Sequence, residues 1–196
     1  IYRAPRTGGE GTRITDPADP FMHFLHGVSP DGAWIAYTAL SIEEGRVLAA
    51  DLRTARIDGS EDAALTTGVV ADGSEWAPDG SWIYLNTEQF SETPGHAQIA
   101  RMHRDRSQLE QLTFDDRVNW FPHPSPTGRD AVYISFPPGT QGHPADLEVE
   151  LRLVRNGHWR NPETVATVFG GQGTINVNSW TSDGSRFAYV DYPVGS

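Results

Sequence analysis

The chain has 196 residues, no cysteine and a formal net charge of −11, and all fifteen of its basic residues are arginine. The lack of cysteine excludes disulfides, thiolate metal sites and thiol nucleophiles. The acidic balance, with arginines scattered rather than clustered, argues against nucleic acid and anionic membranes as partners, and no stretch approaches the roughly 18 apolar residues of a membrane span.

A secretory signal is not visible at the start of the chain, so we expect any targeting segment to be absent or already removed. This leaves the compartment open between the periplasm or exterior and the cytoplasm.

A repeated tight turn organises the chain. The motif Ser29-Pro30-Asp31-Gly32 recurs with small changes from Ala77, Ser125 and Thr181, at intervals of 48, 48 and 56 residues. Proline presets φ, aspartate caps the turn and glycine accepts positive φ. The residues after each turn alternate and are rich in aromatic and β-branched types, as in half-buried strands. Each copy therefore predicts a β-hairpin, and the interval is typical of a β-propeller blade.

A second repeat lies between the copies of the first. Residues 1–15 align without gaps to residues 52–66 and 99–113, and each segment ends in an apolar residue followed by threonine. Residues 151–168 look like the same element with a longer turn. A second hairpin in each repeat gives four strands per unit.

The two repeats predict one all-β domain, a β-propeller of four-stranded antiparallel blades with about four blades' worth of chain. The predicted order is a half blade at 1–15, blades at 20–66, 70–113 and 118–169, and a half blade at 174–192. Either the chain is part of a larger propeller, or its two terminal hairpins pair to close a four-bladed ring. We favour the first alternative, because four blades is the lower limit for closure.

The connections opposite the Pro-Asp-Gly turns are where we expect a ligand site, at the mouth of the central channel that the first strand of each blade lines. Two of them stand out: residues 136–146 contain three prolines, and residues 169–178 contain three glycines. Such glycines permit close backbone approach to a ligand, and equally permit tight turns. The candidate ligand-binding residues are His26, Glu75, Asn119, His123, His143, Gln172, Asn176 and Asn178.

Histidines provide a second hypothesis for this site. His26 and His123 stand near equivalent positions of the first strand in different blades, so both are predicted to face the channel. With His143 and Gln172 they could supply nitrogen and oxygen ligands to a divalent transition metal. The alternative is that these histidines hydrogen-bond backbone carbonyls at strand ends. No nucleophile elbow, phosphate loop, His-Glu-x-x-His motif or EF-hand loop is present, so whether the protein is an enzyme stays open.

The repeats resemble a known family. The run at residues 29–37, Ser-Pro-Asp-Gly-x-x-Ile-Ala-Tyr, and the run at residues 1–15 resemble the WD40-like (PD40) repeats of the TolB propeller family, over essentially the whole chain. Residues 119–126, 137–144 and 169–176 resemble a narrower group of bacterial TolB-like proteins labelled biopolymer transporter or Tol-related. That group has six blades, and the resemblance implies that this chain corresponds to C-terminal blades. Thr127 and Ser182 depart from the turn motif.

The resemblance implies two functions. One is a scaffold that binds proteins or peptides, as TolB does. The other is a carbohydrate-active enzyme similar to oligogalacturonate lyases, which hold manganese through histidines and a glutamine; His26, His123, His143 and Gln172 are the residues available for that role here. We predict a TolB-like binding module with a protein, peptide or carbohydrate site at the channel mouth, and a metal-dependent, carbohydrate-active propeller enzyme as the alternative.

Overall fold

The computed structural model describes residues 1–44 and 46–192, which form fourteen β-strands and no helix. A first hairpin pairs β1 (Tyr2–Arg3) with β2 (Thr12–Arg13). Three four-stranded antiparallel sheets follow in chain order. Blade 1 contains β3 (Met22–Val28), β4 (Trp34–Glu43), β5 (Arg46–Arg56) and β6 (Ala63–Ala64); blade 2 contains β7 (Ala71–Trp76), β8 (Ile83–Thr87), β9 (Gln98–Met102) and β10 (Glu110–Gln111); and blade 3 contains β11 (Val118–Pro124), β12 (Ala131–Phe136), β13 (Leu147–Val154) and β14 (Glu163–Gly170).

The repeated turns connect the first two strands of each blade, as the sequence predicts. In blade 1, Asp31 Oδ1 accepts a hydrogen bond from the backbone N–H of Ala33 at 3.0 Å. The fourth copy closes a last hairpin in which Trp180 and Phe187 form a single antiparallel bridge. Four-stranded antiparallel blades in sequence order confirm the prediction of an all-β propeller, while the six-bladed total stays a prediction.

Apolar side chains between the sheets hold neighbouring blades together. Trp34 and Leu52 of blade 1 share a cluster with Trp76 and Leu85 of blade 2. Tyr133 of blade 3 packs in a further cluster with residues of blade 2. Blade 2 therefore packs against blade 1 on one face and against blade 3 on the other, as stacked propeller blades do.

The two terminal hairpins pack at different places. Ile14, beside β2, belongs to a cluster with Ile35 and Tyr37 of blade 1. Trp180 and Phe187 of the last hairpin pack on the core of blade 3. Among the described residues, no hydrogen bond joins the first hairpin to the last. Since the described residues contain no helix, none of them offers a helical membrane span.

The inner strand of each blade carries a β-bulge at the same position of the repeat. Two residues of the inner strand oppose one residue of the next strand, and the register shifts there in β3, β7 and β11. A bulge bends its strand and redirects the neighbouring side chains. The bulged pairs are Leu25–His26, Gly73–Ser74 and Phe121–Pro122, opposite Tyr37, Leu85 and Tyr133.

Candidate functional site

A cavity of about 740 Å³ opens where the inner strands of the three blades meet the loops that follow their second strands. Residues 141–143, from the proline-rich loop, and Gln172, Asn176 and Val177, from the glycine-rich loop, line it together with strand residues. The cavity thus uses the connections that the sequence singles out, on the face opposite the Pro-Asp-Gly turns.

One position of the repeat supplies four of the cavity's side chains. Residues 24, 72 and 120 are spaced by 48, and residue 176 precedes the fourth turn by the same five residues as residue 24 precedes the first. All four line the cavity: Phe24, Asp72, Trp120 and Asn176. In the three inner strands this position comes directly before the bulge. The repeat therefore places the side chains at this position in the same cavity.

A carboxylate joins two histidines at the cavity. Asp72 Oδ1 accepts a hydrogen bond from Thr38 Oγ1 at 2.6 Å and lies 2.8 Å from His26 Nε2. The second contact becomes an ion pair only when His26 is protonated. Burial raises the pKa of the Asp72 carboxyl, but the contacts with His26 and Thr38 outweigh burial and hold that pKa below its usual range. Asp72 is therefore ionised at neutral pH.

His143 approaches the same carboxylate from the proline-rich loop. Its Nε2 lies 4.0 Å from Asp72 Oδ2. Its ring meets those of Trp120 and Phe121, with centroid distances of 4.5 and 5.2 Å. Burial among these rings lowers the pKa of His143, and the nearby Asp72 charge offsets only part of that effect. The imidazole is therefore mainly neutral at pH 7.

Trp120 and Phe121, which together form the aromatic wall of the cavity, each have an unusual feature. Phe121 has φ of +53°, in the left-handed region that bulky residues rarely occupy, and its backbone N–H donates to Asn86 Oδ1 at 3.1 Å. Trp120 is only 3% exposed, and its indole N–H is buried without an acceptor among the described residues. A buried donor left unpaired costs about 1–3 kcal/mol, and this one belongs to a residue that lines the cavity.

The structure brings together half of the residues nominated from the sequence. His26, His143, Gln172 and Asn176 line the cavity. The other four have partners elsewhere. Asn119 is fully buried and donates to Asp115 Oδ1 at 2.9 Å, and Asn178 donates to the backbone oxygen of Pro124 at 3.0 Å. Glu75 Oε2 lies 3.5 Å from His123 Nδ1.

His123 differs from His26 because the two residues are one position apart in the repeat. His26 corresponds to Ser74 and Pro122, whereas His123 corresponds to Gly27. A shift of one residue moves a side chain to the other face of a strand. His123 is therefore buried away from the cavity, with its Nε2 2.9 Å from the backbone oxygen of Ile175. This contact matches the alternative of a histidine bound to a carbonyl.

The nominated metal ligands do not form a metal-binding set. A shared ion needs its nitrogen ligands at about 2.0–2.1 Å from one point, yet His123 contacts Ile175 and Glu75 while His26 and His143 face the cavity. Within residues 1–44 and 46–192, no group of three or more histidine, aspartate or glutamate side chains is arranged to hold a metal ion.

Asp72, Trp120 and Phe121 are among the cavity residues that lie outside the nominated set. The first two stand at the same repeat position as Phe24 and Asn176, and this 48-residue alignment could have found them. Phe121 could not have been found in this way, because its role depends on the bulge and on the left-handed backbone there.

The lowered pKa of His143 makes part of the protein's stability depend on pH. As pH falls, the unfolded state takes up a proton first, since its imidazole titrates near about 6.5 and the folded one titrates lower. The stability that neutral His143 contributes is fully present above that value and is lost as pH falls through the folded-state pKa. Urea unfolding at about pH 7.5 and about pH 5.5 should show the wild type losing free energy of unfolding relative to His143→Gln. An equal loss in both proteins would contradict this expectation.

Known proteins share this fold. An uncharacterised protein of Agrobacterium fabrum is 38% identical over 193 residues, which are 98% of this chain and 61% of that protein. The structure of a provisionally assigned TolB from Agrobacterium tumefaciens is 36% identical with a TM-score of 0.84, over 98% of this chain and 66% of that one. An oligogalacturonate lyase in complex with manganese has a TM-score of 0.62 at 12% identity, over 94% of this chain and 51% of that one.

The identity to the lyase is low enough that this likeness shows the fold alone. No family model matches the chain. The chain spans less than two thirds of the length of both Agrobacterium proteins. Its Pro-Asp-Gly repeats, its four-stranded blades and its likeness to the Agrobacterium tumefaciens structure together show that the chain has a TolB-like β-propeller fold.

Proposed function

We propose that the chain is a binding module whose ligand, a protein segment, a peptide or a carbohydrate, occupies the cavity at the channel mouth. The observation that carries the proposal is the cavity itself. Its volume of about 740 Å³ falls within the roughly 300–1,000 Å³ of ligand pockets, which combine apolar walls with a few converging polar groups. Here the polar groups are the Asp72 carboxylate with the neighbouring His26 and His143, which we call the Asp72 cluster, and the buried indole N–H of Trp120.

The origin of the lining supports the proposal further. Side chains from all three blades and from the glycine-rich loop converge on the cavity, although the blades are stabilised by clusters elsewhere. Asp72 is ionised and lines the cavity, so it offers a ligand a charged partner there.

We expect a bulky side chain at the cavity mouth to block binding without unfolding the protein. Val177 lines the cavity and is 70% exposed, so Val177→Trp fills space without disturbing the core. Val165 on β14 is also exposed but lies outside the lining, and Val165→Trp is the matched control. Peptides selected from a displayed library, and galacturonate oligomers, should bind the Val177→Trp variant at least about tenfold more weakly, a loss of about 1.4 kcal/mol, and the control unchanged. Equal binding to both variants would place the ligand site elsewhere.

The same oligomers test the enzymatic alternative. The observation that favours it is the approach of His26 and His143 to one carboxylate. Incubation with galacturonate oligomers, with and without added Mn²⁺, should leave the oligomers intact if the protein only binds them. Metal-dependent appearance of an unsaturated sugar product, abolished by His143→Gln, would replace the binding proposal with the lyase alternative.

A further inference from the structure

The charged side chains that line the cavity are acidic. Among the described residues, two carboxylates, Asp72 and Glu88, line the cavity and no arginine does, although the chain has fifteen arginines. The net charge of −11 adds a negative background field. An anionic ligand would enter this cavity without a fixed positive partner. A cation would meet the ionised Asp72.

The gap between Asp72 and His143 suits a donor rather than an acceptor. Asp72 Oδ1 already contacts Thr38 and His26, whereas Oδ2 lies 4.0 Å from His143 Nε2. That distance is too long for a direct hydrogen bond. Neutral imidazole offers one ring nitrogen as an acceptor. An ammonium group that donates to both atoms at about 2.8 Å fits across the gap with an angle near 90° between its two bonds.

Aromatic rings surround this gap. Trp120 and Phe121 contact His143, and Phe121 also stacks against His26 with ring centroids 6.3 Å apart. A cation beside aromatic faces gains about 0.5–2 kcal/mol from the ring quadrupoles, with the larger values where water is excluded. The same rings offer an apolar surface to the rest of the ligand.

The unpaired indole N–H of Trp120 adds a second requirement. Trp120 lines the cavity and is nine-tenths buried, and its donor has no acceptor among the described residues. A ligand that carries a carbonyl oxygen near its ammonium group can satisfy this donor and Asp72 together.

We propose that the cavity recognises a primary ammonium group with an apolar or aromatic substituent and a neighbouring carbonyl oxygen, which is the chemistry of a free amine of this kind or of a peptide amino terminus. This inference rests on the proposed function, because it names the ligand class of the same site. It gives Asp72 the role of charge partner and Trp120 the role of oxygen-orienting donor.

A series of probes of similar size tests the sign of the charge. Phenylalaninamide carries the ammonium and the carbonyl, N-acetylphenylalaninamide lacks the charge, and 3-phenylpropionate reverses it. Dissociation constants measured by ligand-observed NMR at neutral pH should be lowest for phenylalaninamide and highest for 3-phenylpropionate. The peptide Phe-Ala-Ala-amide separates the two sources: tighter binding than phenylalaninamide indicates a peptide terminus, and equal binding indicates a small amine. N-acetylphenylalaninamide or 3-phenylpropionate binding as tightly as phenylalaninamide would overturn the inference.

Two variants test the assigned roles. Asp72→Asn keeps the shape of the side chain and should weaken phenylalaninamide at least tenfold, whereas Asp79→Asn, which removes one charge at a Pro-Asp-Gly turn, should change nothing. Trp120→Phe keeps an aromatic side chain, although a smaller one, and removes the N–H, so it should weaken phenylalaninamide several-fold more than phenethylamine, which has no carbonyl. If Asp72→Asn fails to fold by circular dichroism, the Trp120→Phe comparison and the probe series still decide the outcome.

The two proposals fail in different ways. If Val177→Trp blocks a ligand but that ligand is an anion or a neutral sugar, the cavity remains the binding site and the ammonium inference is wrong. If phenylalaninamide binds equally to wild type and Val177→Trp, the cavity is not the binding site and both proposals fail.

Discussion

Replacing Gly171 by alanine should lower the free energy of unfolding by about 2–4 kcal/mol and separate the two loops that bring His143 and Gln172 to the cavity. A β-carbon at Gly171 would overlap the backbone oxygen of Pro144 and lie 2.7 Å from the Cα of Ala145. Backbone atoms cannot rotate away as a side chain can, so one of the loops must move. Forcing additional atoms into a packed site usually costs about 1–3 kcal/mol, and occasionally more.

Gly142→Ala is the matched control for this prediction. Gly142 belongs to the proline-rich loop and has φ of +65°, but a β-carbon there meets no atom within 4 Å. The control therefore carries only the cost of a left-handed alanine, about 1–2 kcal/mol. Urea unfolding measures the free energy of unfolding of both variants. The affinity of a ligand that binds the cavity reports whether the two loops have moved apart. Equal losses of stability would show that the close approach of the loops is unimportant.

Gly73→Ala should have a comparably large effect, because it changes the bulge that shapes the aromatic wall. Gly73 has φ of +63°, and its β-carbon would lie 2.5 Å from Asn86 Oδ1 and 3.1 Å from Phe121 Cδ1. Both neighbours are almost completely buried. The same Asn86 oxygen accepts the backbone N–H of Phe121, so the substitution removes the bond that holds Phe121 in its left-handed conformation. We expect a loss of about 2–5 kcal/mol from strain, crowding and the lost hydrogen bond.

Hydrogen exchange distinguishes this local mechanism from a general loss of stability. The amide of Phe121 should exchange faster in Gly73→Ala by more than the change in global stability explains, since its acceptor has moved. Gly68→Ala provides the control: its φ of +68° is similar, and no atom lies within 4 Å of the added carbon. Phe121 protection that falls equally in the two variants would contradict the proposed role of Asn86.

The blades were predictable because their signals are local. Each Pro-Asp-Gly turn specifies its own hairpin, and the second repeat, which ends at Thr15, Thr66 and Thr113, marks the other hairpin of the unit. Even the stretch from Leu147 to Leu153, whose leucines and valine alternate, lies within strand β13. These elements need little information from distant residues.

The site was harder to predict because it depends on one extra residue in each inner strand. His26 and His123 look equivalent in the sequence, but they are one position apart in the repeat. As a result, His26 lines the cavity, whereas His123 contacts the backbone oxygen of Ile175. The importance of Asp72 rests on contacts with Thr38, His26 and His143, which come from three separate segments. The turn motifs that predict each hairpin contain no information about such contacts between distant segments of the chain.

The position before the bulge has a consequence for how such a protein diversifies. Residues 24, 72, 120 and 176 occupy one place in successive repeats, and they are an aromatic ring, a carboxylate, an indole and an amide. Of these four residues, Trp120 also belongs to a hydrophobic core cluster, whereas Phe24, Asp72 and Asn176 lie outside the clusters that hold the blades together. Selectivity can therefore drift, or be engineered, by exchanging residues at positions 24, 72 and 176 while those clusters stay constant. Ligand specificity at these three positions is thus separable from the packing that keeps the blades folded.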